Sequence, residues 1–354
     1  LHDAPTATRP GVMRTYDRVQ RRFFWPGLYH SVRRYVAACE SCQRSKHSTL
    51  PPAGPLQPID IPTVPFYRVG LDLVGPFPTS LTGNKWIAVA TDYATRYAIT
   101  RALPASCATD VADVLLHDVI LHHGTPRQLL TDRGRSFFSK VVSDILRSCS
   151  MRHKLTTAYH PQTNGFTERL NRTLRTMLSM YVSKDHLDWD STLPYVTFAY
   201  NSSRHDTAGF SPFYLLFGRH PALPFETLLP STTQTVTEYA RDATARAQVA
   251  RQIARERLLG SQLSQKARYN SHHRVVSYSP GSLALLWTPC HHVGLSLKLP
   301  SRYSGPYKVL RRLIDVTYEI APLDSQSSSS APVTDVVYVT RLKPYISSYD
   351  PTLL

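Results

Sequence analysis

Three acidic side chains, Asp72, Asp132 and Glu168, have the types and spacing best suited to chemistry in this sequence. Asp72 lies in the strand-like run 68–74, Asp132 ends the strand-like run 129–132, and 35 residues separate Asp132 from Glu168. Two acids at strand ends and one on an adjacent helix can converge on one point, where three ionised carboxylates need a counter-charge. Mg²⁺ or Mn²⁺ supplies that charge and prefers oxygen ligands. Two such ions would activate a water or a 3′-hydroxyl for in-line phosphoryl transfer.

An isolated aspartate at the end of a strand is more often a turn former or a helix cap than a metal ligand. The metal hypothesis therefore depends on the contexts of the three acids taken together. Asp92 also lies beside a strand, but the polar turn that follows it favours a structural role.

The elements that must position the three acids follow an α/β pattern of hydrophobic periodicity. Strands are predicted at 66–74, 85–91, 96–101, 128–131 and 152–157, and helices at 108–122, 138–149, 167–182 and 189–201. The helix over 167–182 has Glu168 in its first turn. Its apolar stripe consists of Leu170, Leu174, Leu178 and Tyr181.

The other face of that helix carries Glu168, Asn171, Arg172 and Arg175 at i, i+3, i+4 and i+7. Such a face is usually only solvated, but beside a metal-bound phosphodiester it would contact the DNA backbone. In the preceding loop, Gln162 and Asn164 either bind a base edge or phosphate, or shape the loop. The candidate DNA contacts are Gln162, Asn164, Arg169, Asn171, Arg172 and Arg175.

The composition suits a chain that binds a polyanion. Among 354 residues, 41 Lys and Arg against 25 Asp and Glu give a formal net charge of +16, and nucleic acid is the first candidate partner. No apolar run approaches 18 residues, so no membrane span is expected. The five cysteines are too few for a disulfide scaffold. The start at Leu1, without an initiator methionine, predicts a fragment or a processed piece of a longer chain.

Two basic segments flank the α/β region. Six prolines within 50–65 predict a stiff, extended linker after the N-terminal segment. Residues 231–270 have the spacing of an amphipathic helix with an alanine-rich stripe. Beyond it, short β-rich runs broken by Gly, Pro and Ser predict a small barrel or sheet.

Motifs along nearly the whole chain resemble the integrases of gypsy-type (Metaviridae) LTR retrotransposons, which are relatives of retroviral integrases. Each fragment alone is weak, but the combination is specific. The motifs are Trp25-Pro26-Gly27, Cys39-Glu40-Ser41-Cys42-Gln43, Leu71-Asp72, Thr131-Asp132-Arg133-Gly134, Tyr159-His160-Pro161-Gln162-Thr163-Asn164-Gly165, Glu168-Arg169-Leu170-Asn171-Arg172, Gly305-Pro306-Tyr307 and Arg341-Leu342-Lys343-Pro344.

The resemblance implies an RNase H-like core, with a five-stranded mixed sheet and surrounding helices. The segments would be an HHCC-type zinc-finger-like module at 1–49, the linker at 50–65, the core at 66–230, a basic connecting helix at 231–277 and a GPY/F-type, SH3-like DNA-binding module at 278–354. It also implies metal-dependent polynucleotidyl transfer, in which cDNA 3′ ends are joined to target DNA. Asp72, Asp132 and Glu168 would hold two Mg²⁺ or Mn²⁺ ions.

The expected partners are the retroelement ends and target DNA, a second copy of the chain in a homo-oligomer, and other products of the same polyprotein. The expected location is the host nucleus, reached by way of a cytoplasmic retroelement particle. Neither a membrane nor a further cofactor is expected.

The N-terminal module departs from the family pattern. Cys39 and Cys42 are spaced like half of a zinc site, and His2 stands where the family has its first histidine. Arg9 stands where the second histidine is expected, and arginine does not ligate zinc. His30 or His47 would have to substitute from unusual positions. We therefore expect a zinc-finger-like fold with weakened zinc binding.

Two other interpretations remain open from the sequence. An RNase H-like nuclease would cut without joining, although it would not need the flanking modules. A catalytically degenerate or co-opted DNA-binding relic would keep the fold without the activity. Arg9 favours this relic, whereas the intact set of acids argues against it.

Overall fold

The computed structural model describes residues 1–46, 51–132, 134–155, 165–222, 236–288, 301–323 and 334–347. The chain forms two compact units. One unit combines Leu1–Pro55 with Tyr269–Leu354, and the other contains Leu56–Arg268. In the described part of the chain, no helix combines the length and the apolar character needed to span a membrane.

The N-terminal module is a set of three short helices in the first unit. These are α1 (Val12–Gln20), α2 (Leu28–Ala38) and α3 (Glu40–Ser45). The predicted break at Trp25-Pro26-Gly27 separates α1 from α2, and Gly27 adopts a left-handed φ of 81° there. The module has a small apolar core made by Leu28, Val32, Val36, Val12, Tyr16 and Val19.

A five-stranded mixed sheet forms the centre of the second unit. Its strands are β1 (Arg68–Val74), β2 (Trp86–Asp92), β3 (Ala98–Leu103), β4 (Gln128–Thr131) and β5 (Arg152–Leu155), in the spatial order β3-β2-β1-β4-β5. The pairs β3–β2 and β2–β1 are antiparallel, whereas β1–β4 and β4–β5 are parallel pairs. The predicted five-stranded mixed sheet is therefore confirmed.

Helices cover both faces of this sheet. They are α4 (Ala108–Asp113), a π-helical segment (Val114–Ile120), α5 (Leu121–His123), α6 (Lys140–Ser148), α7 (Gly165–Tyr181), α8 (Trp189–Ser202) and α9 (Pro212–Phe217). A further helix, α10 (Val236–Asn270), packs instead against Ile61, Ala208 and Leu215. On β2, Ala88 and Ala90 face one apolar core, while Ile87 and Val89 face the other. This alternation follows from the two-residue period of a strand.

The apolar stripe predicted on α7 is confirmed at three of its four positions. Leu170, Leu174 and Leu178 are buried beneath the sheet. Tyr181 instead leaves 71% of its surface exposed, because it is the last residue of α7 and extends past the packed region.

The C-terminal module is a second sheet, in the first unit. Its strands are β6 (Leu283–Trp287), β7 (Tyr303–Ile314), β8 (Thr317–Pro322), β9 (Asp335–Tyr338) and β10 (Leu342–Pro344), in the antiparallel order β10-β6-β7-β8-β9. The predicted small β module is confirmed by this arrangement.

The N-terminal and C-terminal modules contact each other within the first unit. The buried Gln43 side chain donates to the carbonyl of Ile346 over 2.8 Å and accepts from the Ile346 N–H over 2.9 Å. Lys343 Nζ donates to the Gln43 carbonyl over 2.7 Å. Arg44 donates to the carbonyl of Gly305. The bonds of Gln43 and Lys343 join segments that lie about 300 positions apart in the sequence.

Asp92, at the end of β2, has the structural role that the sequence favoured. Its fully buried carboxylate accepts from the N–H groups of Phe66 (2.9 Å), Ala94 (3.2 Å) and Thr95 (2.9 Å), and from the Thr95 hydroxyl (2.7 Å). The carboxylate therefore organises the β2–β3 turn and ties it to the segment before β1.

We predict that Asp92→Asn destabilises the protein by about 2–3 kcal/mol, because an amide nitrogen would face donors that need an acceptor inside the core. Calorimetry should show the loss. Asp144→Asn, an exposed change on α6, is the matched control and should have almost no effect. Equal stability of the two variants would contradict the assigned role of Asp92.

Candidate active site and N-terminal metal site

The parallel pairing of β1 and β4 brings two of the three candidate acids together. Gly70 on β1 is in register with Leu130 on β4, so two residues later Asp72 lies level with Asp132. Asp72 lies inside β1 rather than at its end, while Asp132 directly follows β4. The main chain of Gly134 donates to Asp132 Oδ1 over 2.8 Å and holds that carboxylate in its turn.

Helix α7 brings the third acid to the same place. Glu168 is exposed in the first turn of α7, and Asn171 lies one turn further on. Asn171 Nδ2 donates to Asp72 Oδ2 over 2.7 Å, which fixes the helix to the strand beside the acid. Gly70 permits this close approach, because a Cβ there would lie 2.9 Å from the Tyr93 ring and 3.3 Å from Thr167 Oγ1.

The other two acids contribute to the electrostatics of Asp72. Burial, together with the charges of Asp132 and Glu168, raises the pKa of Asp72 to about 6. The Leu73 N–H, at 2.9 Å, and Asn171 oppose this shift by donating to the carboxylate. No Lys, Arg or His in the described ranges forms an ion pair with any of the three acids.

This donor set fits hard divalent cations. All the donors are carboxylate oxygens, two of the three acids are exposed, and their combined charge lacks a described counter-ion. The three carboxylates are more widely spaced than the ligands of a closed site. Among the described residues, only His2, Cys39 and Cys42 form a set whose ligand atoms all lie within 4.8 Å of one another.

That second set lies in the N-terminal module and contains the residues predicted from the sequence. His2 Nε2 lies 3.4 Å from Cys42 Sγ, and His2 Nδ1 lies 3.3 Å from Thr15 Oγ1. Burial lowers the pKa of His2, which favours the neutral imidazole that binds metals. Among the described residues, neither α2 nor α3 adds a fourth ligand to this set, so His30 does not substitute. His47 lies outside the described residues.

Arg9 occupies the side of this cluster where a fourth ligand would be needed. Its Nη1 donates to Cys39 Sγ over 3.1 Å and to Asp3 Oδ1 over 3.0 Å. Asp3 also accepts from the Tyr35 hydroxyl. A structural zinc ion takes four N or S ligands, and this cluster supplies three together with a guanidinium. The residues present are therefore an incomplete fit for structural zinc.

Three segments of the chain match families of known proteins. Residues 1–48 match the family described as "Integrase zinc binding domain", residues 62–161 match "Integrase core domain" and residues 305–344 match "Integrase p58, C-terminal domain". The chain is therefore similar to integrases in all three segments, and its curated relatives are retrotransposon polyproteins.

Two curated relatives cover most of the chain. The retrovirus-related Pol polyprotein from transposon 412 of Drosophila melanogaster is 29% identical over 87% of this chain, and the transposon Tf2-3 polyprotein of Schizosaccharomyces pombe is 26% identical over 97%. The chain spans about a quarter of the length of these relatives, 25% in each case.

A solved structure supports the fold over the full length. A chain from the cryo-EM structure of the simian T-cell lymphotropic virus intasome in complex with PP2A regulatory subunit B56 gamma has a TM-score of 0.56 at 16% identity. The match covers 96% of each chain, so the two chains share their fold over nearly their full length.

The candidate DNA-contacting residues lie in different surroundings. Arg172 and Arg175 are exposed on α7 beside Glu168, as predicted, and Gln162 and Asn164 lie outside the described residues. Asn171 is buried and bonded to Asp72, so the structure gives its side chain a positioning contact. Arg169 lines a cavity on another side of α7. The roles of all six residues in DNA binding stay predictions.

We predict that Asp72→Asn stabilises the metal-free protein by about 1–3 kcal/mol at pH 7.5. The pKa of Asp72 is raised to about 6 in the folded chain, so the ionised carboxyl costs stability as the pH rises from about 4 to about 6. An amide removes this cost, and Asn171 Oδ1, which is buried without a partner among the described residues, can accept from it.

Calorimetry without divalent cations should therefore show the gain at pH 7.5 and its disappearance below about pH 4. Added Mn²⁺ should stabilise the wild type more than the variant. Asp144→Asn is again the matched control. A gain that is independent of pH would show that the charge of Asp72 is not its cause.

We also predict that Arg9→His raises the zinc content of the purified protein toward one ion per chain, because it replaces a cation by a fourth ligand. Arg14→His, on the exposed side of α1, provides a matched control that should leave the zinc content unchanged. Elemental analysis by mass spectrometry measures both. The same zinc content in all three proteins would contradict the view that Arg9 limits metal binding.

Proposed function

We propose that the chain is a metal-dependent polynucleotidyl transferase that joins the 3′ ends of retroelement cDNA to target DNA. The observation that carries the proposal is the grouping of Asp72, Asp132 and Glu168 on β1, after β4 and at the start of α7, without a described counter-charge. The match to the integrase core family supports it.

In this proposal the three carboxylates hold two Mg²⁺ or Mn²⁺ ions. Such ions activate a water or a 3′-hydroxyl and stabilise the leaving oxygen of in-line phosphoryl transfer. Asn171 and the Leu73 N–H orient the Asp72 carboxylate through both of its oxygens. The Gly134 N–H orients Asp132 through one oxygen, Oδ1.

The exposed cationic groups of α7 would position the DNA. Arg172 and Arg175 lie one and two turns beyond Glu168 on the solvent side of the helix. Guanidinium groups bind phosphates well in such positions, because they carry several donors in a planar fork. Phosphate contacts of this kind set the register of the DNA without reading its sequence.

The proposal extends to partners and location. Retroelement DNA ends and target DNA would be the substrates, and a homo-oligomer would hold two ends together. The similarity to a chain of a viral intasome supports such a multimer. Zinc would bind the N-terminal cluster with reduced affinity. Because its target would be host DNA, the protein would act in the nucleus.

We expect Asp132→Asn and Glu168→Gln each to reduce strand transfer by roughly 1,000-fold, since each removes a metal ligand worth several kcal/mol in the transition state. Both side chains are exposed, so the fold should be unaffected. A strand-transfer assay with labelled oligonucleotide ends in Mn²⁺ measures the loss, and fluorescence anisotropy should show that DNA binding is retained. Asp144→Asn should transfer normally.

The same assay separates the proposal from its rivals. Cleaved but unjoined products from the wild type would indicate a nuclease. Intact DNA binding without any product would indicate a relic, an interpretation that the Arg9–Cys39 contact favours. Joining that survives in both acid variants would show that the metal assignment is wrong.

A further inference from the structure

A second candidate site lies inside the core unit, in a cavity of about 450 Å³. Its walls come from α7, from the segment that follows α8, from α10 and from residues 56–59. The residues of α7 that line it are Phe166, Arg169, Leu170, Thr173 and Met177, whereas Glu168 and Asn171 do not line it. The cavity is therefore separate from the three carboxylates.

A buried arginine faces this cavity. Arg96, in the β2–β3 turn, is only 5% exposed, and its guanidinium lies 3.9 Å from the centre of the Phe166 ring. Its Nε has no hydrogen-bond partner among the described residues, and no described carboxylate forms an ion pair with it. Sequence reasoning missed Arg96, because a polar turn gives no signal that its arginine is buried.

The nearby acids leave this charge uncompensated. Asp92 contributes a favourable electrostatic interaction, but its two oxygens already accept three hydrogen bonds from the turn and one from Phe66. Among the described residues, Asp206 is the single acid that lines the cavity, against Arg96, Arg169 and Arg204. A buried charge without a partner is costly, so this cavity has a net preference for an anion.

The neighbouring titratable groups do not change the preference of the cavity for an anion. Burial lowers the pKa of His205, and the charge of Arg96 lowers it further, so the imidazole is neutral at pH 7. Burial raises the pKa of Tyr200 to about 12, which keeps its hydroxyl protonated as a donor. The cavity thus presents cations and hydrogen-bond donors.

The remaining walls are apolar or carry amides. Leu170, Met177 and Leu258 supply apolar surface, and Gln262 and Gln265 supply polar groups beside it. A cavity of this size has room for an anionic group with a ring attached. A phosphate alone would leave the apolar wall unused, whereas a nucleotide would contact both parts.

We propose that this cavity binds a nucleotide, with its phosphate at Arg96, Arg169 and Arg204 and its base against Met177 and Leu258. The nucleotide is either part of a DNA strand or free in solution, since the recognising chemistry is the same. The proposal does not depend on metal binding by the three carboxylates. If Arg96 only stacks on the Phe166 ring and does not bind an anion, no nucleotide should bind in this cavity.

The test is calorimetric titration of the full chain with 5′-dAMP, in buffer without divalent cations so that a metal-bound phosphate does not contribute. The wild type should bind, and Arg204→Gln should bind roughly tenfold more weakly through loss of a charge-assisted contact. Arg204 is exposed, so its replacement should leave the fold intact. Arg96→Gln should bind least. Arg147→Gln, exposed on α6, is the matched control and should bind like the wild type.

Further titrations identify the source of the nucleotide and keep this proposal separate from the catalytic one. A single-stranded oligonucleotide that competes with 5′-dAMP only when Arg204 is present would indicate a DNA strand, and no competition would indicate a free nucleotide. Asp132→Asn should bind 5′-dAMP normally even though it fails in strand transfer. The absence of binding by the wild type, or equal binding by the Arg96, Arg204 and Arg147 variants, would overturn the proposal.

Discussion

The burial of one carboxylate beside two other acids is the constraint on which the architecture of the candidate active site depends. Asp72 is mostly buried beside two further acids, and these surroundings raise its pKa to about 6. A folded protein tolerates such a group only when other bonds hold it, as Asn171 and the Leu73 N–H do here. The cost is consistent with a site that gains stability when cations bind, since binding to the folded state alone shifts the folding equilibrium.

The position of these acids could be predicted because it follows from sheet topology. Parallel pairing of β1 and β4 makes the ends of the two strands adjacent, and strands with buried, near-continuous apolar runs are recognisable in a sequence. Helix α7 was predictable in the same way from Leu170, Leu174 and Leu178. Once these strands and this helix are placed, few arrangements of the chain would keep the three acids apart.

The side-chain partners could not be predicted, because they depend on tertiary contacts. The sequence places Asn171 on the face of Glu168, but only the fold shows that its amide is buried against Asp72. Arg96 looks like a surface residue of a polar turn, yet the packing of Phe166 over it encloses the guanidinium. The helix predicted at 108–122 is present, although its middle part is π-helical, which periodicity does not distinguish.

The N-terminal module shows how a missing metal ligand is accommodated. Arg9 approaches Cys39 where a neutral or anionic ligand would be expected, and Asp3 offsets its charge. Modules of this size often draw much of their stability from zinc, because their apolar core is small. Here the buried Gln43, in the helix that carries Cys42, forms paired bonds with Ile346, and Lys343 adds a third. The C-terminal module therefore holds the cysteine-bearing helix through residues that are not metal ligands, so a weakened zinc site need not release it.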